Sequence, residues 1–133
     1  MLDASIRNVE ETLAKEGLLL PTKCITPMTG DYHPSDDVSA ELSPSGVHYY
    51  QEPIGVLRWA VEIGRLDILL EVALLSAYLA CPREGHLEAA FHIFGYLKHQ
   101  PKKKIAFDPD HPRINQKIFT KYDWTDFYKD AQE

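Results

Sequence analysis

A mainly α fold is predicted: a small bundle of about four helices, with a long N-terminal loop and a short C-terminal strand or extended tail. Three observations predict it. Four separate stretches repeat apolar residues at spacings of three and four, the period of a helix face. Glycine and proline punctuate the ends of those stretches, where they cap or stop helices. The 133 residues, 44% of them hydrophobic and 26% charged, form one ordinary globular domain.

The first helix rests on Leu2, Ile6, Val9 and Leu13, with Asp3 or Ser5 as N-cap and Gly17 as C-cap. Residues 20–46 hold four prolines, two glycines and no helical period, so they form a long loop. A second helix is expected over residues 50–63, with Ile54, Leu57 and Val61 inward and Gly64 ending it. Pro53 limits its start, because proline is tolerated in a first turn and kinks a helix elsewhere. A third is expected over residues 67–80, with Asp67 as N-cap and Pro82 as stop. It is apolar nearly all round and so should be the most buried. A fourth, over residues 84–99, turns Leu87, Ala90, Phe91, Phe94 and Leu97 inward and is closed by Pro101. Residues 105–107 suit an edge strand. The organisation is thus residues 1–47 (helix and acidic Pro-rich loop), 48–100 (helical core) and 101–133 (a connecting segment).

The net charge of −6 is unevenly spread. Residues 1–50 carry 3 basic and 8 acidic side chains (−5), residues 51–107 carry 7 and 6 (+1), and residues 108–133 carry 4 and 6 (−2). Only the middle suits a phosphate partner. The longest uncharged run, residues 72–82, is 11 residues against the roughly 20 that span a bilayer. The start, Met1-Leu2-Asp3, lacks a cationic flank and long apolar stretch. An intracellular protein, cytoplasmic or nuclear, with no membrane partner is expected. Cys24 and Cys81 build neither a disulfide framework nor a CxxC motif.

Several patterns resemble chemistry and lack its other parts. His86-Leu87-Glu88 has no downstream PCxxC for a zinc deaminase, and His86, His92 and His99 are not at i, i+4, so these are expected to be surface or boundary histidines. Asp36-Asp37 lacks the flanking apolar strands that would hold two metal ions, and reads as a solvated turn. No catalytic residue and no metal ligand is assigned. Gln51, Gly55 and Trp59 fall at i, i+4 and i+8 on one helix face, beside Arg58. A mid-helix glycine costs about 1 kcal/mol relative to alanine, which suggests a close approach to the backbone. Either a neighbouring helix packs there, the better account from spacing alone, or a duplex minor groove does, with Gln at base edges and Trp as flat apolar surface.

Over residues 49–98 the chain resembles the reverse transcriptase region of copia-type retrotransposon Pol polyproteins. That family's pattern runs L-I-G-x-L-x-Y/W, R-P-D-I, an apolar helix with L-L-S, N-P-x-x-x-H and a helix ending Y-L-K. Ile54-Gly55, Leu57, Trp59, Arg65, Asp67-Ile68, Leu74-Leu75-Ser76, Pro82, His86 and Tyr96-Leu97-Lys98 match in order, as does Thr26-Pro27-Met28 upstream. Pro53 and Leu66 depart from it, replacing a leucine and the proline of R-P-D-I. The resemblance implies the thumb and the connection toward ribonuclease H of an RNA-directed DNA polymerase. There a Gln-x3-Gly-x3-Trp track lies in the minor groove of template and primer. Gln51, Gly55 and Trp59 would take that role, with Arg58, Lys102, Lys103 and Lys104 on phosphates. The catalytic YxDD would precede Met1 and the ribonuclease H aspartate would follow Glu133, so the chain alone is expected to be inactive and to hold no cofactor, Mg2+ belonging to the parent. The implied partners are an RNA/DNA or DNA duplex, bound weakly, and the polyprotein's palm and ribonuclease H parts. The competing expectation, which the acidic charge favours, is a helical protein interaction module, from a domesticated or decayed element, with no nucleic-acid role.

Overall fold

The computed structural model describes residues 2–103 together with Asp110. Among the described residues four α-helices follow in order: α1 (Leu2–Lys15), α2 (Pro44–Glu62), α3 (Leu69–Ser76) and α4 (Glu84–His99), with short 3-10 turns at Pro34–Asp36 and Leu66–Ile68. Among the described residues the only β pairing is an isolated bridge between Glu41 and Arg83. The class is mainly α, as predicted; the expected strand at residues 105–107 lies outside the described residues. No helix among them is long and apolar enough to cross a membrane.

α1 forms where its apolar spacing predicts, burying Ile6 and Leu13. Gly17 ends it at φ +74°, so that Leu18 N–H reaches Leu13 O at 2.9 Å and Gly17 N–H reaches Ala14 O at 3.1 Å. This paired closure needs a residue in the left-handed region, which costs glycine nothing.

α2 begins earlier than predicted, at Pro44 rather than near residue 50. Ser43 caps it, accepting from Gly46 N–H at 3.3 Å, and Pro44 sits in the first turn where its missing N–H costs nothing. Pro53 therefore lies inside the helix, where it leaves Tyr49 O without its usual donor. The ring is buried, and that apolar burial offsets part of the lost bond. Tyr50, Ile54, Leu57 and Ala60 complete the inward stripe, while Val61 is half-buried at its edge.

The third helix differs more. Leu66–Ile68 is a 3-10 turn, α3 is only Leu69–Ser76, and Asp67 caps neither. Its carboxylate is instead held by Arg65, whose Nε and Nη2 donate to it at 3.0 and 2.9 Å, and by Tyr96 OH at 2.8 Å. Committing Asp67 to this corner removes it as a cap. α3 buries only Val72 and Leu75, while Leu69 and Leu70 are exposed. The most buried helix is α4, with His86, Ala89, Ala90, Ile93, Phe94, Gly95, Tyr96 and Leu97 inside.

α4 is central because loop and helices close on it from several sides. The loop lies against it at Gly95, where a Cβ would stand 2.6 Å from Pro21 O. Glu10 of α1 pairs with Lys98. At the other end, residues 39–42 run beside residues 82–85: Leu42 N–H reaches Pro82 O and Glu84 N–H reaches Ala40 O, both at 3.0 Å, and Gly85 N–H reaches Ser39 Oγ at 2.9 Å. The long loop thus spends its backbone polar groups on the start of α4, which is how an irregular segment tolerates partial burial. One core cluster draws on α1, the loop and all three later helices.

Candidate nucleic-acid interface

Gln51, Gly55 and Trp59 share one face of α2, and eight residues at 1.5 Å each make a track about 12 Å long. Gly55 is exposed, and a Cβ built on it would meet nothing within 4 Å. No neighbouring helix among the described residues accounts for that glycine. Trp59 is half-exposed and stands outside the buried cluster that Ile54, Leu57 and Ala60 join. Gly55 and Trp59 line a shallow depression of about 440 Å³ with Ser5, Glu52 and Val56.

Two features oppose a phosphate ligand. Glu52 puts a negative charge in the depression. Gln51 is exposed, yet its Nε2 donates to Leu79 O at 3.1 Å, tying α2 to the bend that follows α3. To reach a base edge the amide must leave that carbonyl, at a net cost of about 1 kcal/mol. Arg58 is exposed on the same helix, and Lys102 and Lys103 are exposed beyond α4. Lys103 Nζ lies 5.5 Å from the centre of the Tyr96 ring, the residue that also bonds Asp67. It therefore stands at the corner following α2. Lys104 lies outside the described residues.

The chain matches no family model, no curated protein and no solved structure.

Side chains that the sequence left unassigned meet elsewhere. His86, expected at the surface, is 1% exposed. Its Nδ1 accepts from Arg83 N–H at 3.0 Å, so the proton is on Nε2, which donates to Pro34 O at 2.9 Å. One half of a capping box results; Arg83, having no acceptor, cannot return the other. Asp36 and Asp37 part company: Asp36 is exposed, whereas Asp37 accepts from Tyr32 OH at 2.6 Å and Ser39 N–H at 2.8 Å. Burial would raise the Asp37 carboxyl, but the bonds from Ser39 and Tyr32 outweigh it and hold it below the usual range. No cluster among the described residues could hold a metal ion.

Cys24 Sγ and His92 Nδ1 are 3.7 Å apart, and His92 Nε2 bonds Thr26 O at 3.1 Å. The order of thiol, imidazole and orienting carbonyl is that of an activated nucleophile. Burial, however, pushes the Cys24 thiol up, away from the thiolate form that attacks. These partners are 68 residues apart, and no local spacing reveals them.

Proposed function

We propose that this chain is a thumb-like part of a retrotransposon reverse transcriptase, gripping a template-primer duplex through α2. Gly55 carries the reading. A glycine in a helix interior, exposed, with open space at its Cβ, has no packing role among the described residues. Close approach of an outside backbone supplies one. Trp59 offers the adjoining flat apolar surface, Gln51 the adaptable amide, and Arg58, Lys102 and Lys103 the phosphate contacts. Binding is electrostatic and weak, no tighter than about 10⁻⁴ to 10⁻⁶ M at physiological salt, because Glu52 and the acidic net charge oppose phosphate. Polymerisation and Mg2+ binding belong to parts of such a polyprotein that carry the acidic ligands.

The test is titration of an RNA/DNA hybrid at low salt. Trp59→Ala and Gly55→Leu should each weaken binding severalfold with helical circular dichroism unchanged. Unfolding by Trp59→Ala, with no hybrid binding by the parent chain, would favour the second reading, a protein interaction module. The negative charge in the depression supports that alternative.

A further inference from the structure

A larger concavity of about 610 Å³ shares no lining residue with the α2 track. It runs between the end of α1, the loop and the first half of α4, with Leu13, Leu18, Leu19, Met28, Leu87 and Phe91 among its walls. Leu19 is 87% exposed and Leu18 52% exposed, so the apolar wall rises to the surface on one side. Leu19, almost wholly in water at the groove edge, and Leu18, half in it, forgo burial that a partner's apolar surface would supply.

The shape argues against a small ligand. Such ligands are held with most of their surface buried, and a trough whose wall is an exposed leucine encloses too little. A helix can use it, by dropping side chains at i, i+3 or i+4, and i+7 into one groove while its other faces stay wet. Charge selects the kind of helix. Glu84 and Glu88, one turn apart on α4, are the charged carboxylates lining the groove, both are exposed, and neither is in an ion pair among the described residues. They repel an anionic amphiphile, and the −6 charge of the chain opposes a second copy. We infer that this groove docks an amphipathic helical segment whose apolar stripe is flanked by lysine or arginine.

The probe is a short fluorescent Leu/Lys peptide with leucines at helical spacing, titrated against the full chain. Its comparators are the same residues scrambled to abolish the stripe, and a Leu/Glu version. Saturable one-to-one binding of the first alone is expected. Leu19→Ser, at an exposed position that leaves the fold intact, should weaken it at least about fivefold. Glu84→Gln/Glu88→Gln should weaken it roughly threefold or more at low salt, whereas Glu62→Gln should change nothing. Equal affinity for the scrambled peptide, or no effect of Leu19→Ser, overturns the inference. So does self-association in sedimentation that Leu19→Ser relieves, which would give the groove to a second copy.

Discussion

His86 joins two segments 52 residues apart: its Nε2 donates to Pro34 O at 2.9 Å while its Nδ1 accepts the Arg83 amide that opens α4. The imidazole is at once a helix cap and a strut under the loop, and Tyr78 lies against it with ring centres 4.2 Å apart.

Removing it should be costly. His86→Ala abandons a half-buried amide and a buried carbonyl, the latter worth about 1–3 kcal/mol when left unpaired, so the urea midpoint should fall by an amount equivalent to about 1–3 kcal/mol. His86→Gln, whose side-chain oxygen can still accept at the third helical position, should lose less. Equal losses would mean that ring packing, not capping, is what His86 contributes.

Gly55 and Gly95, both inside helices, should respond oppositely to alanine. At Gly55 the methyl meets open space, and Gly55→Ala should stabilise the fold by about 0.5–1 kcal/mol. At Gly95 it would press on Pro21 O, a backbone atom, and Gly95→Ala should destabilise by about 1–3 kcal/mol. Thermal melts of the two variants decide this. If Gly55→Ala also weakens hybrid binding while raising the melting temperature, the glycine is retained for a ligand at a cost in stability.

Asp67 makes stability fall in acid. Hydrogen bonds from Arg65, joined by that from Tyr96 against the opposing effect of burial, hold its carboxyl below the ordinary range. A carboxyl lowered on folding stabilises above its unfolded pKa of about 3.9, and that stabilisation is lost as pH falls through the lower folded value. Urea midpoints measured down through this range should drop, and Asp67→Asn should flatten that part of the slope.

The two cysteines should label at very different rates. Cys81 is exposed and Cys24 is buried, with its thiol pushed up. Iodoacetamide should modify Cys81 promptly and Cys24 only on unfolding. Prompt alkylation of Cys24 that His92→Ala abolishes would instead make the Cys24–His92 pair a reactive dyad.

The extents of α1 and α4 are legible because each has an apolar run with a clear stop, Gly17 and Pro101, but Asp3 and Ser5 lie inside α1 rather than capping it, and Leu87 and Phe91 are only half-buried. Two prolines compete for the first turn of α2, and the Ser43 cap, which seats Pro44 there, leaves Pro53 inside the helix. Composition misled at α3, since its apolar residues are partly spent at the surface, as Leu69 and Leu70 show. On the α2 face, spacing found the track but not the Gln51 bond to Leu79 O, a contact 28 residues distant. His86 was missed for the same reason, since its partner Pro34 lies in a segment with no period of its own.

The pairing of residues 39–42 with residues 82–85 closes a loop of chain that contains α2 and α3, and loops are expensive to close in an unfolded polymer. Glu41 and Arg83 face each other at a non-hydrogen-bonded antiparallel position, where backbones are about 4.5 Å apart at Cα. That spacing falls in the range a covalent crosslink can span. Replacing the pair by cysteines and oxidising them would turn this clasp into a permanent loop, with an entropic gain of about 4 kcal/mol in the chain-entropy model. The exchange would give up the weak Glu41–Arg83 ion pair, 3.4 Å apart and exposed at Glu41, and the bond from Arg83 Nη1 to Ser39 O. By loop length, α2 and α3, which meet through near neighbours in sequence, should pair before the seam, which waits on a longer excursion of the chain.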